Sequence, residues 1–479
     1  MESAPTKVIV AVGTYDGVLA GWEWKNDDRC KFEISFATPV HDGSVRSLSI
    51  AQNVQPDQPG SLLSCGYDEV LRTHDFSKRM TSSGEIRTPS DLGTPACVAF
   101  APPLVLVRPI DDDDDDDNVA ENPPHTTHCL TGFTSGQLVI YKKRDWSVQH
   151  ILKGHEGGVS SMAVHPTGSM ALTGGLTDGR LKLWDLIKGR LAYNHKIQPS
   201  RTTSEGKTFY DAINCIVWTD EAYAFCYGSH VTVKDVATGT DLLDVELPSK
   251  VNQVCFLQGP EGLFVASANN DGSLAVLHVD RSGAEERRAI MAIEPVEGPV
   301  AGEERFKCLQ QVANYHVVTA NSAGVVSLMD LSGAVRMIMQ DSDDESKSDE
   351  ENEKKAKTDD DDPDSDNDEE EEELAVNIID SIQLGTGNRV TCLAAWSTML
   401  PIRVDEESES NDNKESSDLR KQQETKSKKG EEVERKRKHD SIQELNASAL
   451  ERARELVASA KKIREKRQKK SKKKTNAKR

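Results

Sequence analysis

Through roughly the first 400 residues, short runs of alternating apolar and polar positions recur between Gly, Asp and Pro turns. This is the period-two pattern of half-buried strands. It is clearest from Leu152 to Leu186. Val159 to Val164 alternates as a strand, Pro166-Thr167-Gly168 makes a turn, and Ala171-Leu172-Thr173 is a second strand. Asp178-Gly179 is then a hairpin turn and Leu181 to Trp184 a third strand. A Gly154-His155 pair opens the stretch, and a Trp184-Asp185 pair nearly closes it.

Those two pairs at that spacing are the signature of one blade of a WD40 propeller. His155, Thr173, Asp178 and Trp184 are read as sharing a buried hydrogen-bond chain that pins the hairpin turn to the next blade, a structural role. Thr173 and Asp178 stand one residue further apart than the pattern usually allows. A bulge at Leu176 and an incomplete chain are therefore expected. Six further units follow the same plan. Asp16 and Trp22 in the first keep the Asp-to-Trp spacing, and His74 in the second stands where Trp would be. The fifth unit, Ile213 to Asp235, lacks the turn aspartate.

Closure follows from the count. The first unit lacks an inner strand of its own. Two strand-like runs remain near the end, Val376 to Ile382 and Arg389 to Trp396. The first reads as the outer strand of blade seven and the second as the missing inner strand of blade one, so that no edge of the ring stays open. The expected fold is all-β: a seven-bladed WD40 β-propeller over 7–400, closed by pairing of N- and C-terminal strands.

Charge changes the picture outside the strands. The net charge of −21 is concentrated in blocks. Acidic insertions at 111–125 and 341–373 are too polar to bury a core and read as disordered loops. Ser342, Ser346, Ser348 and Ser365, each followed by acids, read as phosphosites. Residues 401–440 read as a disordered linker ending in the basic cluster Arg435, Lys436, Arg437 and Lys438. Over 441–479, a capping-box pattern at Ser441–Glu444 and apolar residues at helical spacing predict a partly helical basic tail. It ends in Lys469, Lys470, Lys472, Lys473 and Lys474. These basic runs read as nuclear import signals or RNA-contacting arms. No aromatic residue is interleaved among them, so base stacking by the tail is not supported.

The nine cysteines show no Cys-x-x-Cys spacing, which argues against a zinc site or a disulfide framework and for a reducing compartment. The start of the chain has no secretory pattern, and no apolar run is long enough to span a membrane. No phosphate-binding Gly-rich loop, His-Glu-x-x-His or Gly-x-Ser-x-Gly motif occurs. The expectation is a non-enzyme with no cofactor and no metal, a monomer within a large complex.

Three segments together resemble one family. They are Val10 to Trp22, His155 to Asp185, and the closing Asn388 to Trp396. They are similar to the p21-activated protein kinase-interacting proteins, WD-repeat factors of large ribosomal subunit assembly. The closing segment is the most specific, because other WD40 proteins would not share it. The resemblance implies a nucleolar protein in early pre-ribosomal large-subunit particles, contacting a ribosomal-protein-like assembly factor and pre-rRNA. It also implies binding and inhibition of a p21-activated kinase, although nothing in the sequence marks a kinase-binding surface. A third reading, from charge alone, is an acidic chaperone of basic proteins.

Overall fold

The computed structural model describes residues 5–399 except 28, 52, 54–57, 77–80, 104–125, 205, 281–287, 293–304, 341–375 and 386–387. Both acidic insertions, the four serines named above and all of 401–479 fall outside the described residues. Seven four-stranded antiparallel sheets form the blades of a β-propeller. From the channel outwards, blade two is Val45–Ile50, Leu62–Gly66, Val70–Asp75 and Thr81–Arg87; blade four is Val159–Val164, Met170–Gly175, Arg180–Asp185 and Arg190–Lys196. The other blades repeat this order.

The two ends of the chain meet in blade one. Its inner strand is Val390–Met399, paired antiparallel with Pro5–Thr14, so that Val10 faces Ala395 and Val12 faces Leu393. Val18–Lys25 and Phe32–Pro39 complete that blade. The outer strand of blade seven is Asn377–Gln383. The closure expected from the sequence therefore holds. It is reinforced by Gln310 of blade seven. Its side chain accepts from the Ala395 N–H (2.8 Å) and donates to the Ala395 carbonyl (3.0 Å).

Neighbouring blades are joined by apolar layers and by polar side chains of the inner strands. Trp22 packs with Val8, Val10, Val318 and Leu328 between blades one and seven. Near the channel, Asn214 donates to the Val251 carbonyl (2.9 Å), and Thr391 to that of Val45 (2.6 Å). Each such bond satisfies a backbone group that the sheets leave unpaired at their inner edge.

Two elements depart from the sequence expectation. A hairpin, Arg201–Thr202 with Thr208–Phe209, interrupts the passage from blade four to blade five. A helix at 332–340 follows the third strand of blade seven. Its first turn is capped by Asp330, which accepts from the Ser332 N–H (2.9 Å). All nine cysteines are free, and seven are buried. Burial pushes the Cys97 and Cys129 thiols up to about 12.

Candidate functional site

An antiparallel four-stranded blade places its entering loop and the turn between its second and third strands at one end. The other two connections lie at the opposite end. The ring therefore has an entry face, where inner strands begin, and an exit face. The acidic insertion of blade three joins its first and second strands, and that of blade seven joins its third and fourth. Both are anchored on the exit face. The chain also leaves the ring there, after Met399.

On the entry face of blade four, His155 lies in the entering loop, Thr173 on the second strand, Asp178 in the turn and Trp184 on the third strand. The carboxylate can only accept, which settles the order of donors. His155 Nδ1–H donates to Asp178 Oδ2 (3.0 Å). The Thr173 hydroxyl donates to His155 Nε2 (2.8 Å) and accepts from Trp184 Nε1–H (2.8 Å). All four members are joined. The extra residue, Leu176, does not bulge into a strand. It sits exposed in the turn, its N–H bonded to the Gly158 carbonyl (3.0 Å). The turn takes up the added length, so the chain is not broken. The linkage also runs backwards rather than to the next blade: the N–H of His155 bonds to the Gly136 carbonyl in the turn of blade three (2.9 Å).

Burial alone would raise the Asp178 carboxyl. Hydrogen bonds from His155 and from the N–H groups of Glu156 and Arg180 outweigh it and hold the carboxyl below its usual range. Gly175 leaves room for this arrangement, since a Cβ there would lie 2.8 Å from His155 Nδ1.

Asp16 and Trp22, expected to belong to such a chain, do not form one. Asp16 is exposed in its turn, and Trp22 serves the interblade core. The reason is the entering loop of blade one. It comes from the far end of the sequence and has no histidine among Leu384 to Arg389. Blade two has the chain that sequence reading missed. His41 Nδ1–H donates to Asp68 (2.8 Å), Ser64 donates to His41 Nε2 (2.8 Å), and His74 Nε2–H donates to Ser64 (3.1 Å). Its sequence signal was His41 and Asp68 at the blade-four positions. In blade three, Thr131 and Tyr141 occupy the Thr173 and Trp184 positions. No histidine stands in its entering loop, and both hydroxyls are buried without a partner.

The entry face also carries cations over aromatic rings. Arg46 lies 4.8 Å over Tyr67, Arg201 5.0 Å over Phe209, Lys207 5.2 Å over Phe209, and Lys196 4.9 Å over Tyr210. Among the described residues, no group of His, Cys, Asp and Glu is placed to hold a metal ion. No helix there is long and apolar enough to cross a membrane.

Ring, repeat and the hydrogen-bond chain of blade four define a WD-repeat β-propeller. The WD domain, G-beta repeat, matches residues 146–185. Over 402 residues, 84% of each chain, the protein is 22% identical to a p21-activated protein kinase-interacting protein 1-like protein of Xenopus laevis. It is 24% identical to the Shk1 kinase-binding protein 15 of Schizosaccharomyces pombe, over 67% of this chain and 76% of that one. A shorter stretch of 70 residues, 15% of this chain and 7% of the other, is 36% identical to the ribosome biogenesis protein ERB1 of Chaetomium thermophilum. The resemblance to the p21-activated protein kinase-interacting proteins thus extends over most of the chain.

Proposed function

We propose that this protein is a non-catalytic scaffold of large ribosomal subunit assembly, acting in the nucleolus. The observation that carries this reading is the similarity, over 84% of the chain, to a p21-activated protein kinase-interacting protein 1-like protein. The resemblance of the closing strand implies assembly factors of the large subunit. The short match to a ribosome biogenesis protein supports the same direction. In this reading the ring docks on a pre-ribosomal particle through a ribosomal-protein-like factor. The basic residues of 435–438 and 469–474 serve as import signal and RNA arm. The hydrogen-bond chain of His155, Thr173, Asp178 and Trp184 is structural.

Gradient sedimentation combined with RNA crosslinking in cells tests this, comparing the full chain with one ending at Leu400. Recovery of large-subunit pre-rRNA from precursor fractions is expected, with fewer crosslinks after truncation. Recovery only with mature subunits, or with no pre-rRNA, overturns the reading. A second reading, a regulator that binds and inhibits a p21-activated kinase, is favoured by the names of two relatives. It requires kinase capture that survives RNase treatment.

A further inference from the structure

The seven inner strands begin at equivalent positions around the channel on the entry face. The residue before each start and the residue after it stand at the channel mouth. Over blades six, seven, one and two these positions carry Lys250, Arg305, Lys307, Arg389 and Arg46. Over blades three, four and five they are neutral, with Ala96, Ser160 and Asn214 at the second position. The positive charge is therefore confined to one side of the mouth. Among the described residues, no carboxylate lies within ion-pair distance of any of the five. Burial, then the charges of Arg305 and Lys250, push the Lys307 ammonium below its ordinary range. Both acidic insertions are anchored on the opposite face. Like charges held near one another disfavour one another, and a bound polyanion relieves that cost.

Aromatic rings stand beside these cations. The N–H of Tyr15 bonds to the Arg389 carbonyl (2.9 Å), and that of Tyr67 to the Ser44 carbonyl (3.2 Å), the residue before each inner strand. Tyr15 is 64% exposed and Tyr67 58%. The Arg46 guanidinium covers one face of Tyr67. An acidic peptide would satisfy the charges and leave both rings unused. A duplex keeps its bases stacked inside. A single strand uses both features, with phosphates against cations and bases against rings.

We propose that this mouth binds single-stranded RNA, its phosphates held by Arg46, Lys250, Arg305, Lys307 and Arg389 and its bases stacked on Tyr15 and Tyr67. The physiological source of that RNA rests on the assembly reading above; the surface itself does not. The test uses the full chain and a labelled oligouridylate of about 20 nucleotides containing a photoactivatable base. Crosslinks to Tyr15 and Tyr67 are expected in addition to any in the basic tail. Y15A/Y67A is expected to weaken binding at least about 30-fold, and to change binding of a duplex of equal length little. Both tyrosines are exposed, so this variant keeps the fold, checked by its melting curve. Alanine at the five cations should flatten the salt dependence of log K by about 3 to 4. Crosslinks confined to 401–479, with unchanged affinity in Y15A/Y67A, overturn the proposal. So does binding of polyglutamate, but not RNA, that needs the five cations; the mouth would then be a site for acidic protein. If the mouth binds RNA while the protein never sediments with large-subunit precursors, the assembly reading fails and the surface stands.

Discussion

Blades two and four solve one problem with different atoms. Each ties its entering loop to its own turn through a histidine, an aspartate and a hydroxyl. In blade four the fourth member is Trp184, whose indole has one N–H to give and nothing left over. In blade two it is His74, which gives Nε2–H to Ser64 and leaves Nδ1 buried without a partner. The chain requires a donor at that position, and either ring supplies one. The two differ in cost, because the buried lone pair of His74 has lost its water.

The largest effect should come from removing the carboxylate that each chain contains. Asp178→Ala leaves His155 Nδ1–H and the N–H groups of Glu156 and Arg180 without an acceptor, and should cost about 3 kcal/mol in urea unfolding. Asp68→Ala should cost less, about 2 kcal/mol, because one donor it releases, Arg72, is partly exposed and can turn to water. Equal losses would mean that the two chains are energetically equivalent.

The fourth member separates the blades more sharply. Trp184→Phe deletes the donor to Thr173 and part of a ring packed on Leu130, Ile140 and Leu152. A loss of about 2 kcal/mol is expected. His74→Phe deletes the donor and the orphaned nitrogen together, so its cost at neutral pH should stay below about 1 kcal/mol. The same variant reads out pH. Burial, then the charges of His41 and Arg72, lower His74 from 6.5 to about 4. A depressed folded-state value means that the unfolded chain takes up the proton first. The stability is fully present above 6.5 and is lost as pH falls towards 4. Between neutrality and pH ~5 the loss should be about 2 kcal/mol in the parent and should disappear from this step in His74→Phe. An unchanged pH profile in the variant would show that Nδ1 is solvated.

The ring, its seven units and its closure were legible because the second and third strands of the blades, buried on both faces, leave strong apolar runs. The blade-four chain was legible from spacing. The blade-two chain was half legible: His41 and Asp68 carried it, but Ser64 and His74 differ from the expected residue types while keeping the donor and acceptor roles. Asp16 misled because spacing within a hairpin says nothing about the entering loop, which here comes from the other end of the chain. Outer strands such as Val148–Lys153 and Arg190–Lys196 gave little signal, since nearly all their side chains are exposed. The helix at 332–340 did carry one: Leu331, Ala334, Val335 and Ile338 are buried at helical spacing. The five cations of the channel mouth belong to four blades, and only the ring brings them to one level.

A further contrast lies in the turn itself. Blade four follows Asp178 with Gly179 at φ 59°, where glycine carries no steric cost. Blade two follows Asp68 with Glu69 at the same φ of 59°, a left-handed conformation that sets its Cβ against the backbone. The Glu69 carbonyl still accepts from both the N–H (3.1 Å) and the hydroxyl (2.8 Å) of Thr88, so the turn is held in place despite the strain. Glu69→Gly should therefore stabilise the protein by about 1 kcal/mol, the relieved strain exceeding the added freedom of the unfolded chain. Gly179→Ala should do the opposite and by more, because a Cβ there would come within 2.3 Å of the Tyr210 ring. Paired melting curves decide it. A rise for the first and a larger fall for the second would show that blade two keeps its chain at the expense of its turn. A fall for both would mean that the Glu69 side chain contributes more than its backbone loses.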